Sequence, residues 1–161
     1  MPSPTRYAIL GSGWWAGVHF EAIAASPNAT CAALWSRSEA TVNKLLEDNK
    51  SPADVKTYFG PEGLDELLAS SEVDAVVIAL PISTIPEYVI KALQAGKHVI
   101  SEKPVGKDVQ TAKALIERYE AEFQHTGLHW RVAESKYPTQ VHSAANAQTG
   151  RTNLSLSKLR I

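Results

Sequence analysis

The chain has a single cysteine, Cys31, in 161 residues. A disulfide framework is therefore excluded, and a reducing, cytoplasmic setting is expected. It also lacks an excess of either charge: 16 Lys and Arg stand against 17 Asp and Glu, giving a net charge of −1 and a pI near 6.5. That balance gives no footing for direct nucleic-acid contact or for an anionic membrane surface. No apolar run approaches the length of a membrane span. The apolar residues after Arg6 are broken by glycines within a few positions, unlike a signal peptide. No internal repeat is visible. Neither His129 nor His142 has partners at metal-ligand spacing, so both are read as structural or solvated. What remains is a chain of one-domain size, with 44% hydrophobic residues to build a core.

The most informative stretch is Ala8 to Gly17, A-I-L-G-S-G-W-W-A-G. A buried strand over Tyr7–Leu10 runs directly into a glycine-rich turn, and a helix is predicted from about Trp14. This is how a backbone accepts a dinucleotide diphosphate. Gly11 permits the tight turn, and Gly13 lets the main chain touch the phosphate with no side chain between. Ser12, Trp14 and Trp15 flank that approach, and the new helix offers free N–H groups and the positive end of its dipole. The third glycine position holds the small Ala16. The competing reading is a glycine turn that merely reverses the chain.

A dinucleotide fold needs a second strand about twenty residues on, ending in a group that reads the adenosine ribose. Ala29–Trp35 fits that strand, being small and apolar throughout. It ends in Ser36-Arg37-Ser38, where an NAD site would usually carry Asp or Glu. Hydroxyls and a guanidinium suit a 2′-phosphate instead, so NADP is favoured, with NAD as the alternative. The competing reading is that Ser38 caps the next helix and Arg37 is a solvated charge.

The periods then alternate. A helix is predicted over 38–46, burying Val42, Leu45 and Leu46, and a third strand over 55–59. A short helix over 63–69 turns Leu64, Leu67 and Leu68 inward. The strongest strand is Val73–Leu80, stopped by Pro81. A helix from Pro86 to Ala95 follows, with Gly96 at its C-terminal end. His98–Ser101 is a strand, Val109–Phe123 a long amphipathic helix, and Leu128–Ala133 a last strand. This alternation argues an α/β fold, a doubly wound parallel sheet with right-handed crossovers. The second chemical spot is Ser101-Glu102-Lys103-Pro104 at a strand's carboxyl end, where open α/β sheets bind ligands. A lysine there can polarise a carbonyl, or hydrogen-bond a hydroxyl and help its proton leave. An isolated lysine is otherwise an ordinary surface residue.

The order G-S-G-W-W-A at 11–16, S-R-S at 36–38, A-L-P at 79–81, A-G-K-H-V at 95–99, E-K-P at 102–104 and W-R-V-A-E at 130–134 resembles the Gfo/Idh/MocA oxidoreductases, fungal members in particular. The resemblance covers residues 6 to about 134. It implies a Rossmann domain and an NAD(P)-dependent dehydrogenase or reductase acting on a small molecule such as a sugar or polyol. It implies that Lys103 is catalytic, that Glu102 lies beside the cofactor, that Leu80 and Pro81 border it, and that Glu134 lines the nicotinamide side. Departures are visible. Leu80-Pro81-Ile82 replaces a Thr-Pro-Asn pattern, Ile85 stands where relatives carry histidine, and Ser135 follows Glu134 in place of asparagine.

Family members are far longer, with a second α+β domain that covers the nicotinamide. That domain is expected to be largely or wholly absent here. Residues 1–134 are therefore expected to form the dinucleotide-binding domain. Residues 135–161, polar and basic with no acid after Glu134, are expected to be a partly disordered tail of a shortened chain. Two further readings follow: a non-catalytic NAD(P)-binding regulator, or an inactive gene remnant. The sheet face left uncovered would promote self-association or homo-oligomers.

Overall fold

The computed structural model describes residues 3–49 and 54–134. Eleven elements alternate along the chain: β1 (Thr5–Leu10), α1 (Trp14–Ala24), β2 (Ala29–Ser36), α2 (Glu39–Asp48), β3 (Lys56–Phe59), α3 (Gly60–Ala69), β4 (Ala75–Ile78), α4 (Ile85–Gln94), β5 (His98–Ser101), α5 (Val109–Glu122) and β6 (Trp130–Val132). The six strands form one sheet in the order β3-β2-β1-β4-β5-β6, with every pair parallel. This is a Rossmann-like doubly wound sheet, as the alternation predicts.

Strand alternation divides the core into two layers. Tyr7 and Ile9 of β1, Leu34 of β2, and Ala75 and Val77 of β4 face α1 and α2, meeting Ala16, Phe20, Ile23, Val42 and Leu45. Their neighbours Ala8, Leu10, Ala33, Trp35, Val76 and Ile78 face the other way, onto Leu64, Leu67, Ile85, Val89, Leu93 and Leu115 of α3, α4 and α5. Because both faces are covered, β4 reads A-V-V-I with all four residues buried.

The elements differ from expectation mainly at their ends. β4 is shorter than Val73–Leu80: the apolar run continues past the ladder, and Val73 is buried in the preceding turn rather than paired. α3 starts at Gly60, three residues before the predicted Gly63, with Pro61 in its first turn. Proline suits that position because its missing N–H would have no helical partner there. α4 ends at Gln94, followed by Gly96 with φ +74°.

Candidate functional site

The switch point of the sheet lies between β1 and β4, whose following helices fall on opposite faces. There the Gly11 N–H donates to the Trp35 carbonyl at 2.8 Å, and the Ala79 N–H donates to the Leu10 carbonyl at 2.9 Å. Gly11 has φ +128°, and a Cβ on it would stand 2.3 Å from the Ala79 carbonyl oxygen. Only glycine fits both the dihedral and the contact. Gly13 differs. Its backbone is extended, and a Cβ there would meet nothing within 4 Å. Nothing in the packing of the described residues calls for glycine at this position, which opens onto empty space.

Gly13 stands at the N-cap of α1, with no side chain capping the helix. Ala16, in the third small position, is fully buried against the sheet. A Cβ on Gly17 would meet Asn49 and Leu45 only at ordinary contact distance. The first-turn N–H groups of α1 and the positive end of its dipole thus lie beside this glycine turn.

At the end of β2 a chain of hydroxyls crosses to this turn. Ser12 Oγ lies 3.0 Å from Ser36 Oγ, and Ser36 Oγ lies 2.7 Å from Thr41 Oγ1 on α2. Thr41 in turn donates to the Ser38 carbonyl at 2.9 Å. Ser38 occupies the N-cap position of α2, but its hydroxyl meets Thr41 Oγ1 at 3.0 Å and caps no backbone N–H. Arg37 is exposed and takes part in none of the hydrogen bonds or ion pairs found among the described residues. Its guanidinium is free to receive an anion.

The Ser101–Pro104 segment leaves β5 at the same edge. Ser101 is buried and accepts from Trp130 Nε1 at 2.9 Å. The Glu102 N–H donates to the Ile78 carbonyl at 3.0 Å, extending the β4–β5 ladder by one residue. The Glu102 carboxylate turns inward. One oxygen lies 2.7 Å from His19 Nε2 of α1, and the other accepts the Lys103 N–H at 3.3 Å. Lys103 is exposed, the Lys103–Pro104 bond is cis, and the ammonium lies 5.3 Å from the centroid of the Trp15 ring. Trp14 packs edge-on against Trp15 at 4.7 Å and is itself 68% exposed.

Leu80 is half-buried against the core. Pro81 is exposed, and its carbonyl accepts from Thr84 N–H and Oγ1 at 2.9 and 2.8 Å. Ile85 is fully buried and anchors α4. Glu134 is exposed beyond β6, the last described residue on that side. The structure therefore brings Gly11, Ser12, Gly13, Trp14, Trp15, Ser36, Arg37, Ser38, Leu80, Pro81, Glu102 and Lys103 to the carboxyl ends of the strands. His129 stacks on His98 at 5.4 Å, and its N–H donates to His98 Nδ1 at 3.1 Å. Burial, and then the neighbouring His129, hold His98 below the ordinary histidine value. That pair is structural and sits at the amino ends of the strands. A cleft of about 600 Å³ bordered by Arg6, Thr30, Asp74 and His98 lies at the same distant edge.

Ser135, His142 and the tail over 135–161 lie outside the described residues. Two residues of the site were not singled out by sequence reasoning, His19 and Thr41. Their signals are a histidine on the apolar face of α1, between Ala16 and Ile23, and a threonine three positions after Ser38.

Residues 5–125 match the family described as the Gfo/Idh/MocA oxidoreductase family, NAD-binding Rossmann fold. The chain belongs to that family. Its relatives include dehydrogenase FPY6 of Fusarium mangiferae, 36% identical over 132 residues, covering 80% of this chain and 37% of the relative. Among solved structures, scyllo-inositol dehydrogenase from Lactobacillus casei superposes with a TM-score of 0.66 at 25% identity, over 81% of this chain and 36% of that one. A 3-ketoreductase from Actinomadura kijaniata, crystallised with NADP, gives a TM-score of 0.60 at 28% identity, over 74% of this chain and 36% of that one. The chain thus spans about a third of the length of the family members it matches.

Proposed function

We propose that this chain serves hydride transfer between NADP(H) and a sugar, polyol or related hydroxy or carbonyl compound, with residues 1–134 binding the dinucleotide. The observation that carries this reading is the meeting of Lys103 and the glycine turn at one sheet edge, the ammonium 5.3 Å from the ring of Trp15 in the first turn of α1. Gly11, Ser12, Gly13, Trp14 and Trp15 hold the diphosphate through main-chain N–H groups. Ser36, Arg37 and Ser38 receive the 2′-phosphate, while Leu80 and Pro81 border the cofactor and Glu134 lines its nicotinamide side. The nicotinamide supplies or accepts the hydride. Lys103 hydrogen-bonds the substrate oxygen, stabilises negative charge developing there, and helps a hydroxyl proton depart. Glu102 acts from beneath, holding the lysine's backbone. The balanced charge and the single cysteine fit a cytoplasmic enzyme of small molecules.

NADP is favoured over NAD by the free Arg37 guanidinium and the absence of a carboxylate at the end of β2. A thermal-shift panel followed by titration tests this. Saturating ligand at a hundred times its Kd stabilises by about 2.7 kcal/mol, a Tm rise of roughly 5–10 °C for a domain of this size. Arg37→Ala is expected to weaken NADP about tenfold or more and leave NAD unchanged, since a charged hydrogen bond contributes about 1.5–3 kcal/mol. A preference for NAD indifferent to Arg37→Ala overturns the assignment.

A second reading is a regulator that binds NAD(P) without turnover, since the matched residues 5–125 are described as an NAD-binding fold, which binding alone would satisfy. Turnover of a sugar or polyol that is lost in Lys103→Ala supports the enzyme. Binding without turnover supports the regulator, and neither supports an inactive remnant.

A further inference from the structure

One face of α1 touches the Glu102–Lys103 segment at two points. Trp15 and His19 are four residues apart on α1, so their side chains lie on the same side of the helix, one turn apart. His19 Nε2 and Glu102 Oε1 are 2.7 Å apart, with side-chain exposures of 6% and 9%. A carboxylate only accepts, so His19 Nε2 carries the shared proton. The other oxygen of Glu102 takes the backbone N–H of Lys103. One turn nearer the helix start, the Trp15 ring faces the Lys103 ammonium. Around His19 the buried residues of α1 are Ala16, Phe20, Ala22 and Ile23, all apolar. A polar pair in such surroundings costs desolvation that an apolar pair would not, so stability alone gives no reason for it.

We propose that this face of α1 is the seat of Lys103. His19 is a positioning residue that orients Glu102, and through it the lysine backbone, while Trp15 holds the ammonium against its ring. The catalytic meaning of the seat rests on the hydride-transfer reading above. In that reading, the helix that offers its N-terminus to the diphosphate also carries both contacts to the Glu102–Lys103 segment. The spacing between the cofactor site and the ammonium is then set within one rigid element.

The test is nuclear magnetic resonance on the labelled full chain. In the wild type, the Lys103 ε-methylene signals are expected upfield of the chain's other lysines through the Trp15 ring current, with an Overhauser contact to that indole. Trp15→Leu should abolish the shift. His19→Leu should remove most of it, and His19→Gln, whose amide mimics Nε2, should restore it. Should His19→Leu lose the folded spectrum, His19→Asn takes its place, because its shorter amide withdraws from Glu102; the same loss is expected. A wild type without the shift, or a folded His19→Leu or His19→Asn that keeps it in full, overturns the proposal. Titration with NADPH on the same samples is read separately: failure of the wild type to bind refutes the cofactor reading and leaves the lysine's seat to stand or fall on its own signals.

Discussion

Gly11 and Gly13 stand two residues apart in the same turn, yet a methyl group would meet opposite surroundings at each. At Gly11 it would strike the Ala79 carbonyl on a backbone already at φ +128°; at Gly13 it would enter open space. Gly11→Ala is therefore expected to cost about 2–3 kcal/mol of stability through strain and displacement of the β4 end. Gly13→Ala should leave the denaturation midpoint unchanged while weakening NADP(H) at least about tenfold, since the methyl group blocks close approach of the diphosphate. Urea unfolding and dinucleotide titration of the two variants separate the roles; equal stability losses would show that Gly13 serves the fold alone. Cys31 carries a different lesson. Burial pushes its thiol up to about 12 from 9.0, the Ala33 carbonyl being its hydrogen-bond partner. A raised folded-state value means that the neutral thiol's stability is fully present below pH 9 and lost as pH rises toward 12. Across that window the wild type should lose up to about 4 kcal/mol more than Cys31→Ala, from three pH units at about 1.36 kcal/mol each. Parallel curves for the two proteins would refute it.

Among the elements, β1 and the turn before β4 are tied by Arg6 and Asp74. The guanidinium Nε and Nη2 donate to the two carboxylate oxygens at 3.0 and 2.6 Å, and the Arg6 N–H adds a third bond at 2.8 Å. The Arg6 side chain, first of all, holds Asp74 below the ordinary 3.8. A lowered folded-state value gives stability that is present above pH 3.8 and lost as pH falls through the folded value. Arg6→Met should therefore be less stable than wild type near neutrality, with the gap closing below about pH 4 in acid denaturation; a gap independent of pH would mean that the pair contributes by packing alone.

The same elements show what a linear sequence reveals. β5 is legible residue for residue because the β-branched pair Val99-Ile100 is bounded by Gly96 on one side and the Glu102–Pro104 turn on the other. β4 is overextended in the sequence reading because hydrophobicity reports burial, and Val73 is buried without being paired. The start of α3 is missed because Gly60 and Pro61 read as loop, although proline suits a helix's first turn. The glycine turn and Lys103 are legible as local motifs. The His19–Glu102 contact is not: it joins residues 83 apart, and no local pattern names the partner.

On the scale of the whole molecule, the two sheet faces are better covered than the sequence suggests. Val77 and Ile100, on the face toward α1 and α2, are 2% and 3% exposed. The large apolar side chains open to solvent lie elsewhere: Trp14, Trp15, Phe59 and Ile82 at the carboxyl rim, Val109 and Ile116 on α5, and Val132 on the edge strand β6. A rim of this kind, beside the glycine turn, is a surface that association can cover. The expected outcome is concentration-dependent self-association in sedimentation velocity, reduced by Trp14→Ser or Ile82→Ser. Because Trp14 flanks the glycine turn, saturating NADP(H) should compete for the same surface and shift the population toward monomer. Association insensitive both to these substitutions and to the dinucleotide would assign the contact to α5 or β6 and leave the rim free for the cofactor. A monomer at every concentration would remove the rim as an interface altogether.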